Sequence, residues 1–103
     1  MRLGSFGQKV NKMDYKKIMY SVGKLVRCVY GVDVPENVQN MIIRFPTKGI
    51  GLINQRGDLI KANQKEVMQI IDEIPGNLKD PVDKMPFEAQ GAFWLGYYQH
   101  ERQ

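Results

Sequence analysis

Tyr15, Ile18, Met19, Val22, Leu25, Val26 and Val29 recur at helical spacing and share one arc of about 120° when plotted at 100° per residue. Asp14 stands where an N-cap is needed and Gly31 where the chain can leave the helix. A second helix is expected after Pro35, with Glu36 near its positive end and Val38, Met41, Ile42 and Phe45 as its apolar face, until Pro46 stops it. Asn63 and Glu66 have the spacing of a capping box before Val67, Ile70, Ile71 and Ile74, and Pro75-Gly76 closes that helix, which reads as purely structural. Three of the five prolines lie in residues 75–86, a connector whose last residue, Pro86, is placed to open a final helix.

Residues 47–60 fit two patterns equally well. Thr47 can cap a short helix carrying Ile50 and Ile53 up to Gly57, although Gly49 and Gly51 each weaken it by roughly 1 kcal/mol. Alternatively, two short strands turn at Gln55-Arg56-Gly57-Asp58, giving a β-hairpin around residues 48–62. The Arg-Gly-Asp tripeptide matches an integrin ligand only by coincidence. The pattern as a whole predicts an all-α domain, a compact bundle of four or five helices spanning residues 14–103, preceded by a basic, loosely ordered arm over residues 1–13.

The final helix carries Phe87, Phe93, Trp94, Leu95, Tyr97 and Tyr98 within twelve residues. Phe87, Gly91, Trp94 and Tyr98 fall on one side and Ala89, Ala92 and Gly96 on another, where a second helix could approach closely. So dense an apolar content predicts that this helix is the central one, with Tyr97 and Tyr98 in the core.

Charge changes the picture. The 103 residues carry a net +4, but residues 1–52 hold nine bases and three acids whereas residues 53–103 hold six bases and eight acids. Opposite the apolar arc of the first helix, Lys16, Lys17, Tyr20, Lys24 and Arg27 fill an arc of about 100° that is wholly basic, a surface suited to phosphates rather than to base edges. Tyr20 is the candidate for stacking on a base.

Candidate chemistry is sparse. One cysteine, Cys28, excludes an internal disulfide and speaks against any cysteine-based zinc cage, and fits a reducing cytoplasm. It reads as a packing residue, and the single histidine, His100, as a surface residue near a helix end. No nucleophile, base and orienting group fall together, and Gly49-x-Gly51 lacks the rest of a phosphate loop, so neither an enzyme nor a metal or other cofactor is expected. No apolar run approaches the roughly 20 residues of a membrane span, so no membrane partner is expected.

The segment Glu88-Ala-Gln-Gly-Ala-Phe-Trp-Leu-Gly-Tyr-Tyr-Gln-His-Glu-Arg-Gln103 resembles the end of the large subunit of type I-C CRISPR Cascade complexes, a region also made separately as the small subunit. The matching positions are Glu88, Gln90, Gly91, Phe93, Leu95, Gly96, Tyr97 and Tyr98, with Trp94 inside the motif. Tyr20-Ser-Val-Gly-Lys-Leu25 looks like the opening of the same region, and Val67 to Leu78 like its helix and Pro-Leu connector. The chain departs from the family pattern in its shorter middle and at Gln99-His100-Glu101, where Glu101 interrupts the usual ending.

The resemblance implies a helical, non-catalytic small subunit of an antiviral effector complex that contacts guide RNA or target DNA, stabilises the R-loop and binds the other effector subunits. It implies a structural role for the Gln90–Tyr98 motif, glycines for close packing and aromatics for the core, but assigns no binding residue. Two other expectations stand beside it. One is a structural or self-associating module using Trp94 and Tyr98, and the other a winged DNA-binding domain with residues 47–60 as the wing beside the second helix.

Overall fold

The computed structural model describes residues 13–100, which form six helices and, among the described residues, no strand. Residues 1–12 of the expected arm and Glu101–Gln103 at the end of the resemblance lie outside this range; Met13, counted with the arm, packs against the core. The helices are α1 (Tyr15–Tyr30), α2 (Glu36–Arg44), α3 (Pro46–Asn54), α4 (Gly57–Ala62), α5 (Gln64–Ile71) and α6 (Phe87–Gln99). The chain is all-α, as its periodicity predicts, and no described helix is long and apolar enough to cross a membrane.

The first helix forms as expected. The Asp14 carboxylate accepts a hydrogen bond from the Lys17 backbone N–H at 3.2 Å, and the helix ends at Gly31, whose φ is 68°. Its apolar arc supplies Ile18, Met19, Val22, Leu25, Val26 and Val29 to the core. It packs against α3, α4, α5 and α6, so α1 is the hub of the fold.

The final helix is not the central one. It packs chiefly on α1, burying Ala89, Ala92, Phe93, Gly96 and Tyr97, while Phe87 is 87% exposed and Leu95 and Tyr98 also face outward. A helix that is apolar around most of its circumference reads as buried on all sides. Here one side meets α1, and on the other Phe87 and Tyr98 are exposed while Trp94 is half-buried against the edge of the core.

The α1–α6 crossing depends on two glycines. A Cβ on Gly23 would overlap the Phe93 carbonyl oxygen and stand 2.8 Å from the Tyr97 backbone nitrogen. A Cβ on Gly96 would overlap the Tyr20 carbonyl oxygen and stand 3.3 Å from the Lys24 nitrogen. Each helix thus receives the other's backbone where its own side chain is missing. The small-residue face of α6 works as expected through Gly96, whereas Gly91 faces open space and packs against nothing, contrary to the role expected for it. Tyr97 locks the crossing further, its hydroxyl donating to the Gly31 carbonyl at 3.0 Å and its ring lying 6.5 Å from that of Phe93.

Residues 47–60 fall in α3 and α4, joined by a turn at Gln55-Arg56, which removes the hairpin and with it the wing of a winged domain. Pro46 both stops α2 and opens α3 as its first residue, a position where its missing N–H costs nothing. Gly49 is buried where a Cβ would overlap Ile42 Cγ1, so the residue that weakens α3 as a helix also lets it close on α2. The α2–α3 junction is the single residue Phe45, with φ −137° and ψ 78°; leaving helical register turns its ring outward, to 40% exposure, although its spacing assigns it to the core face.

The capping box at Asn63 does not form. The Asn63 side chain instead donates to the Cys28 carbonyl at 3.2 Å, tying the start of α5 to α1. The proline-rich connector also reaches back: the Tyr15 hydroxyl donates to the Lys79 carbonyl, and Asp80 accepts from the Thr47 backbone N–H and hydroxyl at 2.9 and 3.0 Å, capping α3. Met85 from this connector is buried in the core.

Gly23→Ala and Gly96→Ala should each cost about 2–3 kcal/mol, because the added methyl meets backbone that cannot rotate away. Gly91→Ala, in open space on the same helix as Gly96, should instead stabilise by about 0.5–1 kcal/mol. Urea unfolding midpoints of the three variants check both signs; an unchanged midpoint for Gly23→Ala would contradict the tight crossing.

Candidate nucleic-acid interface

The five residues expected to form one basic face have separate fates. Lys16 and Lys17 are exposed at the start of α1 and make no ion pair with any described residue. Lys24 is paired with Glu73 at 2.9 Å and lies 5.4 Å from the centre of the Tyr20 ring. Arg27 donates to the Tyr97 carbonyl at 3.4 Å and stacks over the Tyr97 ring at 5.1 Å. Tyr20 donates to Gln99 Oε1 at 3.0 Å. Lys24, Arg27 and Tyr20 therefore hold α6 and the turn after α5 rather than presenting a free surface. The helical arc placed them on one side correctly, but the Gly23–Gly96 crossing brings α6 onto that side.

Glu73 is the acid that takes up this charge. It accepts from Ser21 Oγ at 2.9 Å, satisfying a buried hydroxyl, as well as from Lys24. The Lys24 contact, chiefly, with Ser21 adding to it against a partial desolvation, holds the Glu73 carboxyl below its ordinary value. The segment around α5, read from the sequence as purely structural, thus supplies the counter-charge for α1.

Two cationic spots stand beside aromatic side chains, while Lys61, Lys65, Lys79 and Lys84 are exposed elsewhere. Lys16 and Lys17 rim a cleft of about 530 Å³ between α1 and α6, floored by Tyr20, Gly91, Ala92 and Leu95 and edged also by Asp14 and Glu88. The second spot is one that sequence reasoning missed. At the α2–α3 corner the exposed Phe45 ring lies between Arg44, 5.8 Å from its centre, and Lys48, 5.1 Å away. Arg44 and Lys48 are exposed and make no ion pair with any described residue. An aromatic between two bases is the signal that could have revealed it, hidden because Phe45 also completes a helical apolar period.

The connector ties together the two helix starts that these spots adjoin. Its consecutive residues Lys79 and Asp80 hold the first turn of α1 and the first turn of α3, respectively. Burial there, with the Asp80 charge as a second cause, pushes the Tyr15 phenol above its ordinary value.

Elsewhere, Arg56 and Asp58 of the Arg-Gly-Asp tripeptide bond each other through two contacts of 3.2 and 3.0 Å. The structure also joins side chains that are scattered in the sequence: His100 Nε2 lies 2.8 Å from Glu66 Oε2, and the Cys28 thiol is beside them. No family model, curated protein or solved structure matches the chain.

Replacing Glu73 by Gln should flatten the acid limb of the stability profile. Because its folded-state pKa lies below the unfolded one, its ionised form contributes stability in full above the ordinary glutamate range, and this is lost as pH falls through the lowered folded value. Thermal melts of wild type and Glu73→Gln from neutral to acid pH should diverge above that window, with wild type the more stable, and converge below it; parallel curves would refute the coupling.

Proposed function

We propose that this chain is a non-catalytic, nucleic-acid-binding subunit of a larger assembly, of the kind formed by the small subunits of CRISPR effector complexes. The observation that carries the reading is the exposed Phe45 ring set between Arg44 and Lys48, with the exposed Lys16 and Lys17, which make no ion pair among the described residues, at a helix start that the connector ties to α3. Cations of this kind neutralise phosphates without reading sequence, and an exposed ring between them offers a face on which a base can stack.

The resemblance to the type I-C small subunit gains support from where its two segments lie. Tyr20–Leu25 and Phe93–Tyr98, far apart in sequence, meet at the Gly23–Gly96 crossing, so both act in one structural feature. The outer face of α6, with Phe87, Leu95 and Tyr98 exposed, suits docking to a neighbouring subunit. The same face favours a second reading, self-association, which needs no other protein.

Anisotropy titrations of labelled single-stranded and duplex RNA and DNA across a salt series test the reading. Lys16→Glu/Lys17→Glu and Arg44→Glu/Lys48→Glu should each weaken binding and reduce the salt slope, by about 0.7–0.9 for each phosphate that is no longer neutralised. Phe45→Ala should cost about 1–3 kcal/mol on single strands and less on duplexes. Absence of wild-type binding at low salt, or binding indifferent to all three variants, would overturn it. In that event a concentration-dependent dimer in sedimentation, abolished by Leu95→Glu/Tyr98→Glu, would establish the second reading.

A further inference from the structure

Cys28, Glu66 and His100 come from three different elements: the last third of α1, the first turn of α5 and the residue capping α6. Their thiol sulfur, carboxylate oxygen and imidazole nitrogen all lie within 4.8 Å of one another. Only the packing of both α5 and α6 on α1 creates this group. From it we infer that the three side chains bind a zinc ion, which pins α5 and the end of α6 to α1.

The donor set is the first reason. Thiolate, imidazole and carboxylate are the three side-chain ligands of zinc, and together they offer two negative charges to a doubly positive ion. The second reason is geometry. Bonds of about 2.0–2.3 Å to a tetrahedral ion set ligand atoms roughly 3.2–3.7 Å apart. The group therefore closes by about an ångström at its widest, while the 2.8 Å Glu66–His100 contact opens slightly. Rotations at the ends of these side chains suffice for both.

Third, the surroundings hold the ligands without sealing them. The Asn63 amide bonds the Cys28 carbonyl, and the His100 backbone N–H bonds the Gly96 carbonyl at 3.2 Å. The His100 side chain is 18% exposed and that of Glu66 47%, so an ion can enter from solvent and keep a water as its fourth ligand. The thiol proton passes to solvent as the zinc–sulfur bond forms.

The site is independent of the nucleic-acid reading and is tested without nucleic acid. The reduced, untagged full chain is titrated with zinc against a chromophoric chelator, and with cobalt as a spectroscopic substitute. One equivalent should bind, cobalt should give a thiolate charge-transfer band in the near ultraviolet, and free zinc a hundredfold above Kd should raise the melting temperature by about 10 °C. Cys28→Ser should abolish the band, and His100→Gln and Glu66→Gln should each weaken binding at least tenfold. Metal-free circular dichroism melts of each variant check that it folds; if Cys28→Ser does not, the other two carry the test. Failure to bind one equivalent, or undiminished affinity in both His100→Gln and Glu66→Gln, would overturn the inference.

Discussion

Close contact between two backbones, at Gly23 of α1 and Gly96 of α6, constrains the rest of this structure. Neither position tolerates a methyl group, because the atoms it would meet are carbonyl oxygens and amide nitrogens fixed within the opposing helix. Once the helices are this close, Phe93 and Tyr97 bury against α1, and the Tyr97 hydroxyl reaches the Gly31 carbonyl. The flank of α1 carrying Tyr20, Lys24 and Arg27 comes under α6, where a solvated basic stripe would otherwise stand. Those side chains then serve as fasteners: Lys24 to Glu73, Arg27 to Tyr97, Tyr20 to Gln99.

That displacement reorganises the electrostatics. Lys24 is taken up by Glu73 and Arg27 by Tyr97, while Lys16, Lys17, Arg44 and Lys48 stay exposed beside Tyr20 and Phe45. The connector of residues 75–86, which carries little periodic signal, does the arranging: Lys79 and Asp80 hold the starts of α1 and α3, while Met85 fills the core. Further along α1, Asn63 and Glu66 reach Cys28 and His100, so one helix contributes to both the candidate phosphate-binding surface and the candidate metal site.

Apolar surface is distributed just as unevenly. α6 is hydrophobic on nearly every side, and α1 covers only the side bearing Ala89, Ala92, Phe93, Gly96 and Tyr97. Phe87, Leu95 and Tyr98 remain in water, an unfavourable arrangement for a small domain unless another surface covers them. Part of the Gln90–Tyr98 motif therefore serves the interior and part faces outward: Gly96, Phe93 and Tyr97 belong to the first group, Gly91, Leu95 and Tyr98 to the second.

The sequence by itself determined the helical class, the cap at Asp14, the end at Gly31, the stop at Pro46, the opening at Pro86, and the buried face of α1. These are local properties, fixed by periodicity and by the backbone limits of proline and glycine. It left residues 47–60 undecided because Gly49 is a penalty within a helix and an advantage between helices, and only the position of Ile42 shows which applies. It misjudged Phe45, whose spacing is helical but whose backbone is not, and Asn63, whose amide found a better partner in Cys28 than in its own helix. Tertiary structure alone decided which bases stay free and which carboxylate, thiol and imidazole meet. Pairings between residues so far apart in the chain depend on how helices cross, and two glycines set that crossing without marking the side chains it would bring together.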